Sequence, residues 1–337
     1  MQPSFAFILC DNGLGHTRRG LAVVSQLRKL APHASVTVFA NPQRARFFGA
    51  NVQPFITSTS VENFRTTNPD SCFWERRLPD LSSYNFVISD NLVEILEIRP
   101  DAVLMGSFLW HLILSDGDQK WLSRAHSLIR KYHPAMLGTG VFASQQLRDE
   151  VRFIDVGFII DGQISEKINS IHKRKNILIS CGKTGASSSE TKILLNNILK
   201  QTKTVFETVF VEPDLFPENA PNWMVPADFT PKMYSTLAAA VIRPGVGTVS
   251  DVLAGGGRVF SFFEKGNIEM QYNAEVLQKL DLGELFESSS FAFFAAIDYY
   301  KSESSVQAHE HALKRLRFDG AESTARWLLE KTDGKEH

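Results

Sequence analysis

Residues 238–251 read Ala238-Ala239-Ala240-Val241-Ile242-Arg243-Pro244-Gly245-Val246-Gly247-Thr248-Val249-Ser250-Asp251. The unbroken apolar run that ends at Ile242 describes a buried strand. Gly245 and Gly247 let the backbone pass close to a ligand, and a helix is predicted from about Thr248 to Ala254, closed by Gly255-Gly256-Gly257. A strand, a Gly-rich turn and a helix, in that order, aim the unpaired amides of the first helical turn at whatever occupies the turn, which makes an anion site. Arg243 can add a charge-assisted fork to a phosphate, and Asp251, one turn into the helix, can accept both hydroxyls of a ribose. The same residues also describe an ordinary strand–turn–helix, with Arg243 solvated and Asp251 favoured by the helix dipole.

The pattern around this segment is α/β. Further apolar strands are predicted at 176–180, 205–210 and 259–263, with helices at 190–200, 269–280, 304–315 and 321–331. Upstream, strands at 5–9, 35–39, 52–55, 84–89, 102–105 and 135–137 alternate with helical or irregular links, the first of them a helix over 17–30. Such alternation implies parallel sheets covered on both faces. A polar stretch at 161–175 separates the two series, giving a first domain over 1–160 and a second over 176–337, whose last helix can pack back on the first. Two successive doubly wound units bind ligands at the carboxyl ends of their strands, and a central cleft between them is the expected site.

The loop after the first strand reads Cys10-Asp11-Asn12-Gly13-Leu14-Gly15-His16-Thr17-Arg18-Arg19-Gly20. Gly13, Gly15 and Gly20 do not have the Gly-x-Gly-x-x-Gly spacing of a dinucleotide fingerprint, which excludes a Rossmann dehydrogenase. Thr17 is predicted to cap the following helix. Arg18 and Arg19 then sit in a first turn whose dipole favours acids, and misplaced charge of this kind points to function. His16 stands at the mouth of the turn, and histidine changes charge near neutral pH, as a general base must. Asp90, which ends a later strand, can orient it if the two strand ends are neighbours.

Arg243-x-Gly245-x-x-Thr248-x-Ser250-Asp251 with its trailing glycines resembles the donor-site signature of nucleotide-sugar glycosyltransferases such as the enzyme that completes lipid II, which have the GT-B fold. Glu269-Met270-Gln271-Tyr272-Asn273-Ala274 is similar to their acid-Gln-x-x-Asn-Ala motif, with Met270 where a Gln is expected and Gln271 available in its place. Asp228-Phe229-Thr230-Pro231-Lys232-Met233 looks like the loop that borders the base. Gly13-x-Gly15-His16-x-x-Arg19 resembles the first loop of the same superfamily, and equally that of the nucleotide-sugar hydrolase of pseudaminic acid synthesis. Ser89-Asp90 and Ser107-Phe108-Leu109-Trp110-His111 also fit relatives of both kinds.

The resemblance implies a nucleotide-sugar donor, a UDP-sugar foremost, and a sugar or lipid-linked acceptor, in cell-envelope or polysaccharide biosynthesis. His16 and Asp90 are then the catalytic residues. Donor contacts fall to Gly13, Gly15, Gly182, Phe229, Thr230, Arg243, Gly245, Gly247, Thr248, Asp251, Glu269, Gln271 and Asn273. Cys181-Gly182-Lys183-Thr184-Gly185 would add amides or Lys183 to the phosphates, although it is not a P-loop. Water as the acceptor makes the chain a hydrolase instead, and binding without turnover makes it a recognition module.

Composition narrows the rest. A net charge of −1 over 337 residues gives no support to a nucleic-acid partner. Three scattered cysteines argue against a disulfide framework and fit a reducing, cytoplasmic setting, and the N-terminus reads as a core strand rather than a signal peptide. Asp116-Gly117-Asp118 has the form of a metal-binding Asp-x-Asp triplet but lies apart from the donor signature, so no metal or other cofactor is expected. The aromatic and basic residues of Phe47-Phe48, Phe64-Arg65 and Trp74-Glu75-Arg76-Arg77 describe either surface helices with one buried face or an acceptor platform with peripheral membrane contact.

Overall fold

The computed structural model describes residues 2–11, 13–55, 74–114, 118–162, 174–181, 206–263, 266–285 and 302–333. The chain divides into two compact units, 1–161 together with 319–337, and 162–318.

Among the described residues, the first unit holds a seven-stranded sheet in the order β3-β2-β1-β4-β5-β6-β7, parallel throughout. The strands are β1 (Ser4–Leu9), β2 (Ser35–Ala40), β3 (Gln53–Pro54), β4 (Phe86–Asp90), β5 (Val103–Met105), β6 (Ala135–Gly138) and β7 (Arg152–Asp155). Side chains alternate across a strand, so β1 builds two cores at once. Phe5, Phe7 and Leu9 pack with Ala22, Val23 and Leu27 of α1 (Leu14–Leu30). Ala6, Ile8 and Cys10 face the opposite layer, with Trp74, Trp110 and Trp121. Burial of both faces is why the strands read as apolar runs rather than alternating ones.

The final helix, Gly320–Asp333, belongs to this unit. Its Ala321, Ala325 and Leu328 recur at one-turn spacing and join the core of Phe5 and Leu27. Gly320 donates its amide to the Phe158 carbonyl at 3.0 Å, and a Cβ there would lie 2.7 Å from the Gly157 carbonyl oxygen, so the chain re-enters the unit through a site with room only for glycine.

Trp74 is fully buried and meets Phe55 edge to face, which makes it core rather than an acceptor platform. Its neighbour Glu75 is held by Arg124 at 2.8 Å, and Glu94 accepts the Trp121 indole at 2.6 Å. Burial pushes both carboxyls above their ordinary range, against the pull of Arg124. Asp118 caps the helix Gln119–Tyr132 by accepting from the Trp121 amide at 2.8 Å. Phe64, Arg65, Asp116 and Gly117 lie outside the described residues. Among the described residues, no helix is long and apolar enough to cross a membrane.

The second unit carries a six-stranded parallel sheet in the order β10-β9-β8-β11-β12-β13. Its strands are β8 (Asn176–Ser180), β9 (Thr208–Val211), β10 (Met224–Pro226), β11 (Leu237–Ile242), β12 (Arg258–Ser261) and β13 (Gly283–Leu285). The linker reading at 161–175 and the helix at 190–200 fall largely or wholly outside the described residues.

One buried group makes this unit sensitive to acid. His309, on the helix Glu303–Leu313, is fully buried and contacts the Asp281 carbonyl through Nδ1 at 3.1 Å. Burial, reinforced by Arg258, lowers its pKa from 6.5 to about 4. The unfolded chain therefore binds a proton that the native state refuses between those two values. Stability is complete above pH 6.5 and falls as pH drops toward 4, by up to about 3 kcal/mol for a shift of this size. Urea unfolding across this range is expected to show that slope, and His309→Gln to flatten it.

Candidate active site

In each sheet the strand order reverses once, between β1 and β4 in the first unit and between β8 and β11 in the second. Loops leaving adjacent strands there run to opposite sides, and the crevice they open is where α/β sheets bind ligands. The loops after β1 and β4 in the first unit, and after β11 in the second, leave from these two reversals.

In the first unit, Leu9 of β1 lies in register with Asp90 of β4, so the turn after β1 sits directly beside the Asp90 carboxylate. Helix α1 begins at Leu14, three residues before the predicted start, because Gly13 takes the N-cap position at φ +84° and no side chain caps the helix. Thr17 therefore lies inside the first turn, buried, and is not a cap. The early start carries His16 and Arg19 onto one face, one turn apart, above Asp90.

His16 Nδ1 is 2.6 Å from Asp90 Oδ1. Arg19 forks onto the same carboxylate, with Nη2 to Oδ1 at 2.6 Å and Nε to Oδ2 at 3.1 Å. Arg19 Nη2 also approaches His16 Nδ1, at 3.2 Å. Asp90 is completely buried. Burial opposes its charge, but Arg19 and then His16 outweigh it and hold the carboxyl below its ordinary range. An ionised carboxylate can only accept, so His16 donates to it from Nδ1 and turns Nε2 away from it. Trp110, which opens the short helix Trp110–Ile113 after β5, lies with its ring centroid 6.2 Å from that of His16. Its neighbour His111 is pushed to about 4 by burial and by His126, and so stays neutral.

In the second unit, α2 (Val246–Ala254) starts two residues earlier than predicted, with Gly245 as its N-cap. The Val249 amide makes the first intrahelical bond, to the Gly245 carbonyl at 3.1 Å. The amides of Val246, Gly247 and Thr248 thus belong to the turn that has no intrahelical acceptors. Around a Cβ placed on Gly245 there is nothing within 4 Å. Its backbone faces open space, as an anion cradle requires. The helix closes on the predicted glycines: Gly256 takes φ +79°, its amide bonds the Leu253 carbonyl, and the Gly257 amide bonds that of Val252.

Asn273 is buried and donates from Nδ2 to the Pro244 carbonyl at 2.9 Å, which ties helix α3 (Ile268–Lys279) to the loop. Glu269 shares the Asn273 face, four residues before it. Gln271 does not join them. It is rotated roughly 200° around the helix, is exposed, and donates to Glu275 at 2.8 Å. Met270, where the resemblance expects a Gln, is buried apolar surface. Asp251 is 6% exposed, on the helix face shared by Gly247 and Thr248.

Thr230 spends its hydroxyl oxygen capping the helix Pro231–Thr236, accepting from the Met233 amide at 3.2 Å, while Asp228 accepts the Thr230 amide and hydroxyl. Phe229 sits between them at φ +54°, a left-handed conformation that is costly for a bulky residue and is found mainly where a loop has a job to do. Gly182 lies outside the described residues, as do Lys183 to Gly185. The sequence reading missed Glu212. This buried carboxylate follows β9 and accepts from Ser180 Oγ at 2.9 Å and the Cys181 amide at 2.8 Å. Its only signal was an acid closing the apolar run 208–211.

No family model matches the chain, and no curated protein matches it by sequence. Its structure resembles the glycosyltransferase of kitacinnamycin, with a TM-score of 0.69 at 11% identity over 98% of this chain and 99% of that one. CalG4, the calicheamicin glycosyltransferase, gives 0.67 at 15% identity over 99% of each chain. Arabidopsis thaliana UGT89C1 complexed with UDP gives 0.63 at 13% identity over 97% of this chain and 98% of that one. The match runs end to end on both sides. The chain has the GT-B fold of the glycosyltransferases.

Proposed function

We propose that the protein is a metal-independent glycosyltransferase that moves a sugar from a nucleoside diphosphate donor to a hydroxyl acceptor by direct displacement. The observation that carries this reading is the His16–Asp90 contact of 2.6 Å, at the point where the order of the first sheet reverses. It leaves Nε2 as a base. In the reaction the acceptor O–H proton passes to Nε2, and the acceptor oxygen bonds the anomeric carbon as its bond to the diphosphate breaks. The electron pair leaves on the diphosphate oxygen. Arg243 and the first-turn amides of α2 meet that charge, an electrostatic contribution that grows as the bond lengthens. Glu269, Asp251, Phe229 and Thr230 are assigned to the ribose and base, and Asn273 holds the loop in place.

The UDP held by UGT89C1 makes UDP the first nucleotide to test. Purified protein is incubated with UDP-, GDP- and dTDP-sugars, with and without a panel of sugar acceptors. Release of nucleoside diphosphate that depends on acceptor, and that survives EDTA, is the expected result. Free sugar released without an acceptor would make the same base a water activator and the protein a hydrolase. Binding without release under any condition would sink the catalytic reading.

A further inference from the structure

Nothing in the transfer chemistry above uses Arg19, yet it reaches both Asp90 and the His16 ring. A guanidinium 14% exposed gives two hydrogen bonds to a carboxylate that is 0% exposed, and one nitrogen of that fork is 3.2 Å from the base itself. A cation beside a residue that must accept a proton works against simple ion pairing and calls for a reason.

The reason lies in what Asp90 would do alone. A buried carboxylate beside an imidazole is neutralised most easily by drawing a second proton onto the ring, which gives an ion pair. The ring is then an acid, and the base is lost. Arg19 supplies the counter-charge permanently, because a guanidinium does not deprotonate in proteins.

We propose that Arg19 is a positioning residue that neutralises Asp90, so that the imidazole of His16 carries a single proton, on Nδ1, and meets the acceptor as a neutral base. Asp90 then orients the ring without charging it. The other ionisable groups of this region are Asp11 and Arg18 in the same turn, and His111 beside Trp110, which is neutral. Arg19 and Asp90 both touch the ring.

This rests on reading His16 as the base, so the test has one arm that needs no turnover. In the unliganded protein, nitrogen NMR of the histidine rings reports protonation and tautomer directly. At pH 7 His16 is expected to be neutral with its proton on Nδ1 in the wild type, and cationic in Arg19→Met. Arg19→Lys, which restores the charge without the fork, should return it toward neutral and guards against a Met variant that folds poorly. In the kinetic arm, the acid limb of the kcat/KM profile should move up by about one pH unit or more in Arg19→Met, as expected when one of two opposed charges within 4–6 Å is removed. The dissociation constant for UDP should stay within a factor of two.

A His16 that stays neutral in Arg19→Met overturns the inference and leaves glycosyl transfer standing. An unmoved acid limb with a raised KM also overturns it, and makes Arg19 a substrate contact. A ring that becomes charged in a protein that transfers no sugar upholds the inference and removes the transferase reading instead.

Discussion

Replacing His16 by alanine is expected to lower turnover roughly 10²- to 10⁴-fold, the range a positioned general base contributes. The fold should survive the change. Asp90 keeps both bonds from Arg19, so no buried charge is left without a partner. Affinity for UDP should change little, because Arg243 and most of the other groups assigned to the nucleotide belong to the other unit. Isothermal titration with UDP and steady-state kinetics on the same preparation separate the possibilities. A variant that binds UDP poorly would recast His16 as a diphosphate contact. One that turns over normally would return the base to Asp11 or Asp90. The rate of the wild type should also fall on the acid side as the ring takes up a proton, and that limb should be absent from the variant.

Gly245→Val carries the second large effect, on binding rather than rate. A Cβ there meets nothing within 4 Å among the described residues and the site has an ordinary φ of −68°, so the cost to folding is that of a poorer N-cap, about 1 kcal/mol. Its side chain does occupy the space a diphosphate needs against the first-turn amides. UDP binding is expected to be lost to calorimetry, with the far-UV and near-UV circular dichroism unchanged. Arg243→Ala removes one charged hydrogen bond and should weaken UDP by about 1.5–3 kcal/mol, roughly 10- to 150-fold. Unchanged affinity in both variants would take the loop out of the site.

Much of this was legible in local pattern. The run ending at Ile242, its two glycines and the triple glycine after Ala254 describe a strand, a turn and a helix whose boundaries moved by only two residues at the start. The first-domain turn was legible as a site, but its helix start was not, since Gly13 caps by backbone conformation alone and leaves no side-chain signal. Strands β7, β10 and β13 escaped notice because they are three or four residues long and only partly buried, too short for a period to register.

The sequence by itself determined the elements and the chemistry that each loop carries: α/β alternation, a phosphate-type turn after β11, and a histidine in a glycine turn after β1. Those depend on residues a few positions apart, whose spacing sets backbone conformation directly. Only the tertiary structure decided which strand ends are neighbours. Asp90 lies 71 residues from Arg19 and 74 from His16, and the crossover that sets β4 against β1 is what turns the three into one site. The same holds for the helix Gly320–Asp333, whose apolar stripe reads as generic amphipathicity until Gly157 and Phe158 give it a place to enter the first unit. Parallel sheets pair strands that are distant in sequence, so their shared edges are fixed by which apolar faces bury one another best, and that is a property of the whole chain.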